Sequence, residues 1–205
     1  MSARTQGLLM VVMEPNGLHD EEFNDWYDLE HIPQLSSVGG VLTATRWVCA
    51  DGWPRYLAAY DLAHVDVLKS DSYRQATGAN FTPWTRRMLG RVRGWRRLAL
   101  AGLDAAAGSI DPATDAFDVL FLDSADAARQ VVVAAASRPE VVQARAFEQP
   151  DEGFGVAIVE AGGAAALSHD LGEGASRLRR SARYVRYHRG EPLAAFHAID
   201  AGAVH

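Results

Sequence analysis

Cysteine is almost missing. Cys49 stands alone, which excludes an intrachain disulfide framework and sets a reducing cytoplasm as the expected location. Long apolar runs are missing too: the stretch from Leu8 to Met13 ends at Glu14-Pro15-Asn16-Gly17, too short for a membrane span or for a signal-peptide core and cleavage site. Positive charge is in deficit, with 20 Lys+Arg against 26 Asp+Glu and a net charge of −6. That balance argues against sequence-independent contact with nucleic acid or an anionic membrane. What is present is an ordinary globular composition, 205 residues with 48% hydrophobic and 22% charged, enough for one large or two small domains.

The apolar run at Leu8 reads as a buried strand that enters a loop at Pro15. Asp20 then sits at an N-cap position, with Glu21 and Glu22 in the first turn where the helix dipole favours them. The helix is expected to run to about His31, because Pro33 lacks an amide and biases Ile32 away from helical angles. After a turn at Gly39-Gly40, strands are predicted over 41–48 and 56–62, joined at Asp51-Gly52-Trp53-Pro54. Helices over 65–76 and 83–89 and a strand over 92–100 complete the order β-α-β-β-α-β, the ferredoxin-like unit.

A second, degenerate copy follows. Residues 104–114, with three consecutive alanines, Gly108, Ser109 and Pro112, have no apolar periodicity and read as a linker. Strands at 117–122, 141–147, 154–159 and 183–188, with helices at 125–136 and 164–178, repeat the pattern; Val41-Leu42-Thr43-Ala44 matches Val141-Val142-Gln143-Ala144. Residues 193–199 read as an extra strand or a terminal extension. The expected organisation is thus α+β: a first ferredoxin-like repeat over 1–103, the linker, and a second repeat over 115–205. Each antiparallel sheet has one face without helices, so the two sheets are expected to cover each other as a barrel within one chain, or each to pair with its equivalent in a second chain as a homodimer.

The first helix carries the chemistry. On a wheel of 100° per residue, Phe23, Tyr27 and Glu30 fall within about 60° of one another, flanked by Trp26 on one side and Asn24 and His31 on the other. Asp25, Asp28 and Ile32 face away. The stripe turned to the sheet therefore holds two ionisable groups where leucines would be expected, and burial of such groups requires partners, a polar cavity or a change of protonation. Tyr27, Glu30 and His31 are spaced to point at one volume beside Trp26, a pocket able to stack a flat substrate and move a proton on it. The plainer reading pairs Glu30 with a strand residue such as Arg46 and leaves His31 at the helix end, favoured by the C-terminal dipole.

The motif Phe23-Asn24-Asp25-Trp26-Tyr27-Asp28-Leu29-Glu30-His31-Ile32-Pro33, followed by Val38-Gly39-Gly40-Val41, Arg46-Trp47 and Pro54-Arg55-Tyr56, resembles the EthD-like branch of the dimeric α+β barrel superfamily, which carries W-Y-x-x-E-H-x-P on its first helix. The resemblance covers residues 7–75; many relatives have Pro-Gly at Gly39-Gly40. The second repeat lacks the signature, so the resemblance implies one functional pocket per chain. The superfamily includes isomerases and cyclases that move protons, cofactor-free monooxygenases of electron-rich aromatics, haem-dependent members and proteins with no assigned activity, so fold does not choose the reaction.

The residues suggest His31 as general base, Tyr27 as hydrogen-bond donor to a developing oxyanion and Glu30 as the group that orients or acidifies the pair. Trp26, Phe23, Asn24, Trp47 and His64 are the expected substrate-binding residues, His64 because it lies close to the end of the third strand. The expected partner is a small apolar or aromatic carbonyl or phenol compound, and the expected activity is cofactor-independent proton transfer of isomerase, cyclase or lyase type. A cofactor-free monooxygenase and a non-catalytic barrel are the rivals. No dinucleotide fingerprint, P-loop or nucleophile elbow occurs, and the histidines at 19, 31, 64, 169, 188, 197 and 205 have no H-x-x-x-H spacing, so neither a metal nor another cofactor is expected. Arg86, Arg87, Arg91, Arg93, Arg96 and Arg97, clustered around Trp84 and Trp95, read as an exposed strand face and as ion-pair partners, with one of them available to a substrate carboxylate.

Overall fold

A computed structural model describes residues 5–51, 54–104, 108–161 and 173–188. The first half consists of β1 (Gly7–Pro15), α1 (Asp20–Trp26), a π-helical turn (Tyr27–His31), α2 (Ile32–Ser36), β2 (Val41–Asp51), β3 (Tyr56–Leu62), a 3-10 turn (Val65–Lys69), α3 (Asp71–Ala76), α4 (Pro83–Leu89) and β4 (Val92–Gly102). The second consists of β5 (Ala116–Leu122), α5 (Ala125–Ala136), β6 (Val141–Gln149), β7 (Phe154–Ala161), a 3-10 turn (Glu173–Arg177) and β8 (Leu178–Arg186). The two ferredoxin-like sheets close into one barrel in the order β1-β3-β2-β8-β5-β7-β6-β4. The joins are β2 with β8 and β4 with β6, so the second strand of each half meets the fourth strand of the other and the barrel closes within a single chain.

Period-2 alternation builds two layers from each strand. On β1, Leu8, Met10 and Val12 enter the barrel core, while Leu9, Val11 and Met13 face the helices of the first half. The barrel core takes residues from the other strands too, among them Trp47, Phe117, Phe147 and Tyr184. With both faces covered, β1 and β3 read as nearly continuous apolar runs. Residues 108–114 are packed as a plug in one end of the barrel. Ile110 is buried, its amide donates to Asp61 Oδ2 at 2.9 Å, and the Asp111 amide donates to Glu160 Oε2 at 2.9 Å. Arg145 lies between these carboxylates, 2.7 Å from Asp61 and 3.5 Å from Glu160. All three side chains are buried, so each needs the others.

The expected elements differ from the observed ones in three places, and one expected turn, at Gly39-Gly40, gains its physical reason. The first helical segment does not stop at His31. The Ile32 amide reaches back to Tyr27 O, five residues away, and this wider turn accommodates Pro33, which has no amide to satisfy, so the chain continues helically to Ser36. The helix expected over 65–76 is broken at Ser70, whose hydroxyl caps α3 by accepting from the Tyr73 amide at 3.2 Å. At Gly40, φ is +93° and an added Cβ would lie 2.6 Å from Val67 Cγ2. The turn therefore requires glycine at Gly40, whereas nothing crowds Gly39. Finally, the helix expected over 164–178 does not extend through Glu173–Arg177, a 3-10 turn, and Leu178 begins β8; 164–172, 193–199 and His197 lie outside the described residues. No helix among the described residues is long and apolar enough to cross a membrane.

Candidate functional site

The π-turn decides where the signature side chains go, because the 100° wheel no longer applies across Tyr27–His31. Asp28, expected to face away, reaches β2 and accepts from Arg46 Nη1 at 2.7 Å, and Asn24 Oδ1 accepts from Arg46 Nη2 at 2.6 Å. The Arg46 guanidinium is buried, with its Cζ 4.6 Å from the Tyr27 ring centroid and 4.0 Å from that of Tyr187. Phe23 packs edge-on against Tyr27 at 5.1 Å and at a 47° tilt against Tyr56 at 5.0 Å, and Asn24 also donates to the Tyr56 hydroxyl. Phe23 and Asn24 thus anchor the helix to the sheet.

Glu30 pairs neither with Arg46 nor with Tyr27. It accepts from the Thr82 hydroxyl at 2.6 Å and from the Thr85 hydroxyl at 3.0 Å. Thr85, fully buried, accepts in turn from Trp26 Nε1 at 3.0 Å. Thr82 is the N-cap of α4 and accepts from the Thr85 amide, so Glu30 docks against the positive end of that helix. This network fixes Trp26, and Trp26 fixes His31: the indole and imidazole stack with centroids 4.6 Å apart and planes 23° from parallel. Tyr27 meets the imidazole edge-on at 5.4 Å, with its own ring 4.5 Å from that of Trp26. The Tyr27 hydroxyl is directed at Met13 Sδ, 3.8 Å away, a weak acceptor. Burial raises the Tyr27 pKa far more than Arg46 lowers it, so the phenol stays protonated.

His31 borders a cavity of about 340 Å³ between the outer face of the sheet and the helices. The Val11 and Met13 side chains of β1 form part of its floor, Tyr73 of α3 stands in its wall, and Trp95 and Arg97 reach it from β4. Among the described residues the buried His31 Nδ1 has no hydrogen-bond partner. Burial pulls the His31 pKa down to about 4, against a smaller upward pull from Glu30. The imidazole is therefore neutral at pH 7 and can accept a proton or a hydrogen bond from a guest. Arg97 donates from Nε and Nη2 to the Tyr73 hydroxyl at 3.4 and 3.3 Å, which places a cation and a phenol at the cavity.

Of the expected site residues, His31 alone borders this cavity; Trp26 and Tyr27 support it from behind, and Glu30 acts through Thr85 and Trp26. Trp47 lies on the opposite face of the sheet, in the barrel core, with Phe117 edge-on at 4.4 Å. Residues of a strand that point into the barrel cannot line the helix side, so Trp47 does not join Trp26 around one substrate. His64 lies two residues past the end of β3, just before the 3-10 turn and packed near Gly7, and is not part of the cavity wall. Tyr73 is not singled out by the sequence, and Arg97 only as one of the six clustered arginines. The available signal was the alternation Arg93, Trp95, Arg97, which puts one face of β4 towards the helices, but it could be read only once the other faces were known.

No family model and no curated protein matches the chain. Solved structures do match. An anthrone oxidase-like protein superposes with a TM-score of 0.57 at 10% identity over 91% of this chain and 93% of its own. A candidate monooxygenase from Lactobacillus acidophilus NCFM gives 0.58 at 8% identity over 89% and 93%. A variant of the chlorite dismutase from Candidatus Nitrospira defluvii gives 0.51 at 10% identity over 95% and 94%. At these identities the likeness concerns the backbone, and together with the closed antiparallel sheet it shows that this chain has the dimeric α+β barrel fold.

Proposed function

We propose that the protein is a proton-transfer enzyme of the EthD-like branch acting on a small, flat carbonyl or phenol compound. The observation that carries this is the buried, unpartnered Nδ1 of His31 beside an apolar cavity. An imidazole held neutral by burial against two aromatic rings is poised to take a proton from an acidic C–H or O–H. The Arg97–Tyr73 pair supplies donors for the oxygen on which the negative charge develops. A volume of about 340 Å³ falls at the lower end of the range for small-molecule sites, roughly 300–1,000 Å³, and suits a one- or two-ring compound.

A second reading, a cofactor-free monooxygenase, is favoured by the names of two structural neighbours, the anthrone oxidase-like protein and the candidate monooxygenase. It shares the first step, since proton removal yields the electron-rich anion that dioxygen oxidises. One experiment tests both. A panel of one- and two-ring 1,3-dicarbonyl compounds and phenols is incubated in D2O, with exchange of the acidic C–H followed by NMR and oxygen followed by electrode. Exchange above the buffer rate that His31→Ala abolishes is the expected result. Oxygen uptake with the same dependence selects the monooxygenase. Exchange unaffected by His31→Ala overturns the assignment of the base.

A further inference from the structure

The barrel holds a second cavity, of about 310 Å³, on the other face of the same strands. On β4, Trp95 and Arg97 face the helix-side cavity, while Gly94, Arg96 and Leu98 face this one; on β1, Val11 and Met13 serve the first and Val12 the second. Two separate volumes therefore lie back to back across one layer of backbone. The second lies at the end of the barrel opposite the 108–114 plug: Val12, Phe121 and Phe154 border it, whereas the plug is held by Asp61 and Glu160 at the far ends of β3 and β7.

Strand register explains why this end is open. β4 pairs with β6 only at Ala101 and Gly102, opposite Glu148 and Phe147, because β6 ends at Gln149. The first part of β4 overhangs β6 and faces the turn before β7. The gap is bridged by one exposed ion pair, Arg96 Nη2 to Glu152 Oε2 at 2.8 Å, and pairs of this kind are screened by solvent and hold little. The floor is apolar, with Leu98, Phe121, Phe154 and Ala182. The rim carries Arg96, Arg179 and Arg180, with Glu152 on Arg96.

From this arrangement we infer that the barrel mouth binds an amphiphilic monoanion, a carboxylate on a linear or single-ring apolar body. The body fills the apolar floor and the carboxylate meets the rim arginines, where planar guanidinium groups offer paired donors. A polyanion is disfavoured because Glu152 already neutralises part of the rim. The inference does not depend on the reaction assigned to the His31 cavity.

Isothermal titration of the full chain with decanoate tests it, with decanol as the uncharged probe. Decanoate binds and decanol binds roughly tenfold or more weakly, the loss of one charge-assisted contact. Arg179→Glu/Arg180→Glu, both at exposed positions, weakens decanoate by a similar factor, and Ala182→Phe, which fills the floor, abolishes binding. Leu35→Trp, which fills the His31 cavity instead, leaves decanoate binding unchanged. Equal binding of decanoate and decanol, an unchanged affinity in the charge-reversed double variant, or loss of binding in a folded Leu35→Trp variant each overturns the inference. The double variant decides the matter should Ala182→Phe not fold.

Discussion

Arg46 of β2, opposite Ala58, faces the first half's helices; its counterpart on β6 is Ala146, opposite Ala157. Tyr60, opposite Ala44, corresponds in the same way to Val159, opposite Ala144. The second half fills its helix layer with small side chains: Ala127, Ala128, Val131 and Ala135 of α5 are fully buried against the sheet. The approach is so close that a Cβ on Gly155 would overlap the Ser124 carbonyl and crowd Ala128. The first half instead uses Phe23, Trp26, Tyr27, Tyr56 and Tyr60, and large rings hold the helices far enough from the sheet to leave a cavity. One topology thus gives a tight layer or a hollow one according to side-chain volume, and the proposed site lies in the hollow one.

The sharpest way to break that contrast is to remove the base. His31→Ala lowers turnover roughly a hundred- to ten-thousand-fold while the melting temperature stays near the parent's, because the imidazole borders a cavity; equal loss of both in paired activity and melting assays would mark a structural role. Next in size is Arg46→Ala. It leaves Asp28 and Asn24 without their cation beneath the helix and is expected to cost about 3–5 kcal/mol in a urea titration. Ala128→Leu in the tight layer follows, with overpacking expected to cost about 1–3 kcal/mol. Leu35→Phe, which points into the hollow of the first half, is expected to leave stability nearly unchanged and to reduce turnover.

A pH series sharpens the contrast further. The folded His31 pKa of about 4 lies below the unfolded value of about 6.5. Between these values the unfolded chain holds the extra proton, so stability from this group is complete above about pH 6.5 and is lost as pH falls towards 4. Chemical denaturation at pH 4.5 and 7.5 should show this slope in the parent, and less of it in His31→Ala. The smallest effect belongs to Tyr27→Phe, which removes only a 3.8 Å contact to Met13 Sδ and is expected to change stability by under about 1 kcal/mol. A large loss of turnover in that variant would give the phenol a direct role.

Much of the fold was legible in the chain. Strand 56–62 and helix 125–136 coincide with β3 and α5, because a fully buried apolar run and a capped alanine-rich segment each have one stable local solution. The site was less legible. The signature singled out His31, which borders the helix-side cavity, but the expected convergence of Tyr27, Glu30 and His31 assumed a regular α-helix. The π-turn moved Asp28 to Arg46 and Glu30 to α4, and nothing in residues 23–33 names Thr82 and Thr85 as its partners.

The sequence by itself determined the order of elements, their repetition and the placing of a titratable pair on one aromatic helix, since propensity, capping and hydrophobic period act within a few residues. Tertiary structure alone decided that the two sheets close on each other within the chain, that Trp47 belongs to the barrel core and His31 to the helix layer, and that Tyr73 and Arg97 meet at the cavity. Those outcomes depend on which face of each strand is turned inward and on contacts between residues far apart in the chain, such as Tyr73 and Arg97, and local sequence carries no record of either.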